Sequence, residues 1–157
     1  IPIGFYHPHN LFRISQLTKS IKKNEGFKNT AYNDQLGNKT IGYGHLIKKN
    51  EIHLLKGKYK KKELEKIFDK DLDSAICDFK KKYNSLSLPR NVQEAIIEMI
   101  YQLGIKNVLK FKKFNTHIKN KEYYLASLEM MNSRWYDQTP KRALKLIEKL
   151  HPRYEKL

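Results

Sequence analysis

The chain has 157 residues, enough for one domain with a real hydrophobic core. Its 32 Lys and Arg against 16 Asp and Glu give a formal charge of +16. That balance points to an anionic partner, whether nucleic acid, an acidic membrane surface or a bacterial envelope, and does not choose among them. A single cysteine, Cys77, excludes an intramolecular disulfide framework. No Cys/His cluster has zinc-ligand spacing and no apolar run reaches membrane-spanning length, so neither a metal nor a spanning helix is implied. The chain begins at Ile1 rather than methionine, which leaves a removed leader, and hence export, open.

Residues 1 to 9 contain two prolines and a glycine and read as an extended arm, in which His7 and His9 are surface residues rather than metal ligands. Over residues 10 to 25 a helical wheel puts Ile14, Leu17, Ile21 and Glu25 in one narrow sector, so the glutamate shares the core-building face. Gly26 follows where a helix commonly stops, placing Glu25 at the negative end of the helix dipole. Desolvation and dipole both favour a protonated carboxyl, which is what a general acid requires.

The run Asn33-Asp34-Gln35-Leu36-Gly37-Asn38 reads as a hairpin turn between strands at Thr30 to Tyr32 and Lys39 to His45. Period-two alternation sends Thr40, Gly42 and Gly44 to one face of the second strand and Ile41, Tyr43 and His45 to the other. The first face is almost bare backbone, suited to close approach by a flat sugar chain, with the Thr40 hydroxyl as its polar group. Glycoside hydrolysis needs one carboxylic acid and an opposed carboxylate; Glu25 and Asp34 supply that pair.

From Leu46 to Lys62, lysines alternate with Ile52, Leu54, Leu55 and Tyr59. Lys61 to Tyr83 is a long helix with Leu64, Ile67, Phe68, Leu72, Ala75, Ile76, Phe79 and Tyr83 on one stripe. Asp71 falls inside that stripe and needs a partner, because burying an unpaired charge is costly; His45 is the candidate. Cys77 falls opposite the stripe, as a partly exposed free thiol. Pro89, Asn91 and Glu94 mark a further helix start, with Val92, Ala95, Ile96, Met99, Ile100 and Leu103 as its buried face before Gly104. Thr139-Pro140 opens a last helix that is expected to bury Ala143, Leu144, Ile147 and Leu150 and to end at Pro152.

The order Glu25, eight residues, Asp34, five residues, then Thr40-Ile41-Gly42-Tyr43-Gly44-His45 resembles the signature of the phage-type lysozymes, the endolysin muramidase family of tailed bacteriophages. Ser133-Arg134-Trp135-Tyr136-Asp137-Gln138-Thr139-Pro140 is similar to a second stretch of that family. The resemblance implies an α+β lysozyme-like fold in a single domain over 1–157. In it an arm and first helix (1–24) precede a small catalytic β-hairpin lobe (25–60), a linking helix (61–83) and a larger helical lobe (84–157), with the cleft between the lobes. It implies a peptidoglycan muramidase that cleaves, with inversion, the β-1,4 bond between N-acetylmuramic acid and N-acetylglucosamine. Glu25 would be the general acid, with Asp34 and Thr40 holding the attacking water.

By the same resemblance, Leu46, Tyr101, Gln102 and Phe114 become substrate contacts, His45 and Asp71 a structural ion pair, and Arg142 a cation approaching Glu25. A cation there would lower the Glu25 pKa, against the desolvation argument. The implied partners are peptidoglycan and, through the lysines, anionic envelope polymers, with no metal, no cofactor and no obligate nucleic acid. The chain would act as a monomer on the bacterial wall, in the periplasm or outside the cell, after synthesis in the cytoplasm. Two features depart from the family: the segment after His45 is abbreviated, and Phe114 and Glu129 stand where small polar or amide side chains are usual. Phe114 offers a ring to stack on sugar. The rival readings are a lytic transglycosylase on the same bond, which needs no Asp34–Thr40 water, and a non-enzymatic basic protein that binds membranes, envelope or nucleic acid.

Overall fold

A computed structural model describes residues 12–150 of the chain. His7, His9 and Pro152 lie outside the described residues. The elements follow in the order α1 (Ile14–Glu25), β1 (Lys28–Asn33), β2 (Lys39–Gly42), β3 (His45–Leu46), a 3-10 helix (Lys49–Leu55) and α2 (Lys61–Tyr83). After a second short 3-10 turn (Asn84–Leu86) come α3 (Arg90–Leu103), α4 (Ile105–Lys110), α5 (Lys112–Lys119), α6 (Tyr123–Met131), α7 (Arg134–Gln138) and α8 (Pro140–Leu150). A small antiparallel sheet near the N-terminus followed by helices is the α+β lysozyme-like organisation expected. Of the described residues, Ser15–Ser74 form one compact unit and the remainder another, so that α2 is divided between them after Ser74.

In the first unit, α1 buries Leu17 and Ile21 as its periodicity demands, each burial worth about 2 kcal/mol. Ile14, expected on that face, is instead 58% exposed, because the helix begins there and the core lies one turn further on. Gly26 stops the helix: its φ of +71° suits a residue without Cβ, and its N–H donates to Lys22 O at 3.0 Å.

The three strands pair in the order β1-β2-β3, with Tyr32 opposite Thr40, Asn33 opposite Lys39, Thr40 opposite Leu46 and Ile41 opposite His45. The strand expected from Lys39 to His45 is therefore two strands. Gly42 at φ +67° and Gly44 at φ +76° turn the chain back on itself around Tyr43. Strict alternation over Lys39 to His45 is lost with it. Thr40, Ile41, Gly42 and Tyr43 are all buried, so the glycine-lined surface is a packed turn rather than an open face. Ile41, Leu54 and Leu64 form one core cluster of this unit, with Ile47, Tyr59 and Ile67 packed around them.

In the second unit, the residues Val92 to Ile100 of α3 are buried on every side. The sequence pattern singled out one face and missed the buried Gln93, Glu94, Ile97 and Glu98; Leu103, assigned to that face, is only half-buried. Glu94 does not close a capping box. It accepts from the Arg13 N–H at 2.9 Å, while Lys149 Nζ lies 2.7 Å from Glu98 and 3.8 Å from Glu94. α8 turns Ala143, Leu146, Ile147 and Leu150 inward, and Leu144, expected in the core, is 40% exposed. The two leucines compete for one face, and the 3.6-residue period aligns Leu146, not Leu144, with Ala143, Ile147 and Leu150.

Candidate active site

Glu25 closes α1, half-buried, with its carboxyl against the β2–β3 turn. A Cβ on Gly44 would lie 2.2 Å from Glu25 Oε1 and 2.7 Å from its carboxyl carbon, so a side chain there would displace the carboxyl from this position. Gly44, one of the two glycines that break the strand, thus also seats the carboxyl group, while Gly42 faces Leu64.

Asp34 sits at the mouth of the β1–β2 turn. Its Oδ1 accepts from the N–H groups of Leu36 at 2.9 Å and Asn38 at 2.8 Å, an Asx turn that orients the carboxylate. The Asp34 N–H donates to Asn38 O at 2.9 Å, and the Thr40 hydroxyl donates to the same carbonyl at 2.9 Å. Asn38 therefore ties Asp34 and Thr40 together through its backbone. Thr40 is 2% exposed, and its oxygen keeps lone pairs with which to accept a hydrogen bond from another group.

His45, on β3, places Nδ1 2.7 Å from Asp71 Oδ2, the pairing that the α2 stripe called for. Its Nε2 lies 2.9 Å from Glu51 Oε1, a second carboxylate that sequence reasoning missed. Glu51 also accepts from the Lys48 N–H at 3.0 Å, three residues back, where the 3-10 helix starts. That capping-box spacing was the available signal. Burial opposes a charged His45, yet the hydrogen bonds and charges of Asp71 and Glu51 outweigh it and raise its pKa above 6.5. For Glu51, burial works upward, and the Lys48 N–H together with His45 wins, holding its pKa below 4.5. The cluster braces β3 against α2 and the 3-10 helix.

Lys22, one turn before Glu25, was also missed. Its ammonium lies 5.0 Å from the ring centroids of both Tyr43 and Phe68 and 3.5 Å from Glu65 Oε1, locking the end of α1 onto the turn residue Tyr43 and onto α2.

The phage lysozyme family matches residues 22–153, a span that contains Glu25, Asp34, Thr40, His45 and Asp71. The chain belongs to the phage lysozyme family. It is 36% identical over 159 residues to "Probable T4-type lysozyme 2" of Dictyostelium discoideum, covering 85% of this chain and 92% of that protein. It is 32% identical over 157 residues to "Probable T4-type lysozyme 1" of the same organism, with the same coverage. It is also 26% identical over 149 residues to the "Pre-baseplate central spike protein Gp5" of Enterobacteria phage T4, covering 81% of this chain and 26% of that longer protein. As a member of the phage lysozyme family, the chain is a glycoside hydrolase of the lysozyme type.

Of the contacts that family resemblance suggested, Leu46 is 47% exposed and lies across the sheet from Thr40. Tyr101 and Gln102, in the last turn of α3, are half-buried, as is Arg142 on α8. Phe114 is a correction. It is 1% exposed, its ring filling the core under α5, so it has no face to offer a sugar. Glu129 is half-buried on α6, and Cys77 is an exposed free thiol. Among the described residues no group of three or more His, Cys, Asp and Glu is placed to hold a metal ion, and no helix is long and apolar enough to cross a membrane.

Proposed function

We propose that this lysozyme hydrolyses the β-1,4 bond between N-acetylmuramic acid and N-acetylglucosamine in peptidoglycan, with Glu25 as the general acid. The observation that supports it best is the seating of the Glu25 carboxyl against Gly44, in the same compact unit as the Asp34–Asn38–Thr40 assembly. In the reaction Glu25 gives its proton to the glycosidic oxygen as the bond from the anomeric carbon to that oxygen breaks. A water held by Asp34 and Thr40 attacks that carbon, forming the new C–O bond and passing its proton to Asp34. Leu46, which lies across the sheet from Thr40 in the same unit, contacts the glycan. Peptidoglycan carries carboxylates, and a chain of charge +16 attracts it over long range.

Mass spectrometry of the soluble products from purified peptidoglycan tests this reading. Hydrolysis yields muropeptides with free reducing ends. Anhydro sugars would instead assign the chain to the lytic transglycosylases, and no released product from a folded protein on several wall types would overturn the enzymatic site itself.

A further inference from the structure

We propose that the outer face of α6 docks on an anionic lipid bilayer, an interaction separate from the hydrolytic site. The nine residues of α6 are apolar nearly all round. Ala126, Ser127 and Met130 are buried where the helix packs on α5 and α8. At roughly 100° per residue, Met131, Tyr124, Leu128 and Leu125 fall on the other side in an arc of about 120°. They are 42, 54, 40 and 40% exposed. A helix apolar on every side is normally covered on every side, and large apolar side chains contiguous on a surface mark a docking site where scattered ones do not. Leu144 of α8, a helix that packs on α6, is also exposed, at 40%.

The charge carried by the neighbouring helices points to what covers this face. Between residues 112 and 145 there are eight Lys and Arg and three acidic residues. Lys112, Lys113 and Lys119 on α5 and Lys141 and Lys145 on α8 are exposed, and these are the two helices against which α6 packs. A second copy docked on this face would bring the lysine-rich helices of both copies near each other, at an electrostatic cost. A glycan or a polyphosphate satisfies the lysines and offers nothing to the leucines. A bilayer with anionic headgroups satisfies both. The apolar side chains enter the boundary between headgroups and acyl chains, and the ammonium groups meet the phosphates. With only nine residues, the helix gives a shallow, reversible contact rather than insertion.

The test is co-sedimentation of the full chain with vesicles of phosphatidylglycerol and phosphatidylethanolamine, and with vesicles of phosphatidylcholine alone, at physiological salt. The variant is Leu125→Gln/Leu128→Gln/Met131→Gln, all at exposed positions outside the catalytic unit. The wild type should partition onto the anionic vesicles and not the neutral ones, and the variant should lose about tenfold or more of that partition, at unchanged melting temperature and unchanged turnover of soluble peptidoglycan fragments. Leu128→Gln alone should lose about threefold and serves where the triple variant melts early. Equal binding by wild type and variants would overturn the proposal in favour of charge alone. So would absence of binding to anionic vesicles, or a wild-type dimer in light scattering that the variant converts to monomer.

Discussion

Gly44 and Glu25 set the tolerance of the site at the level of single atoms. Gly44→Ala introduces a Cβ that collides with the Glu25 carboxyl, at a φ of +76° that side chains rarely adopt. It should cost about 1–3 kcal/mol of stability and, by displacing the acid, about a hundredfold or more in turnover. Gly57→Ala is the matched control: φ is +89°, but nothing lies within 4 Å of the added atom and the position is outside the Asp34 turn, so it should lose stability and keep turnover. Thermal melts and rates on purified peptidoglycan measure both. A second prediction belongs to His45. Its raised pKa means that its contribution to stability is complete below about pH 6.5 and is lost as pH rises through the raised value. The lowered pKa of Glu51 works in the opposite sense, contributing above about pH 4.5 and failing as pH falls through the lowered value. The cluster should therefore stabilise most between these limits, and His45→Gln should flatten the stability profile across them, at a cost of about 2 kcal/mol near pH 5.5, as read from urea unfolding at a series of pH values.

At the scale of elements, long regular segments were legible in sequence and short irregular ones were not. The stripe from Leu64 to Tyr83 defined α2 end to end, and the misfit of Asp71 within it pointed to His45, because a half-buried carboxylate constrains its partner strongly. The β2–β3 break was hidden because alternation looks the same in one strand and in two, and only the positive φ of Gly42 and Gly44 separates them. In α8 two leucines of equal hydrophobicity compete, and it is the helical period, not composition, that gives the core to Leu146 rather than Leu144. Glu94 and Glu98 escaped notice because glutamates are read as solvent-facing, yet both are 4% exposed beside Lys149. Lys149→Met removes the ammonium nearest Glu98 and should cost about 3 kcal/mol, part of which Lys149→Met/Glu98→Gln should restore; chemical denaturation of the two variants decides it.

Over the whole molecule, the fold class and the family were legible from two motifs about a hundred residues apart, because Glu25 and the turn that seats its carboxyl are close together in the chain. The substrate contacts were less so. Phe114 lay at a family contact position and proved to be core, since a position in sequence does not reveal which way a helix turns its side chains. The central claim is that one carboxyl group, Glu25, drives bond cleavage in a chain whose charge of +16 would bind peptidoglycan in any case. The measurement that tests it most directly is turnover of purified peptidoglycan by Glu25→Gln beside the wild type, with the bound fraction measured in parallel. Turnover should fall by about a thousandfold or more while binding and melting temperature stay unchanged. Turnover within a few fold of wild type would show that Glu25 is not the acid.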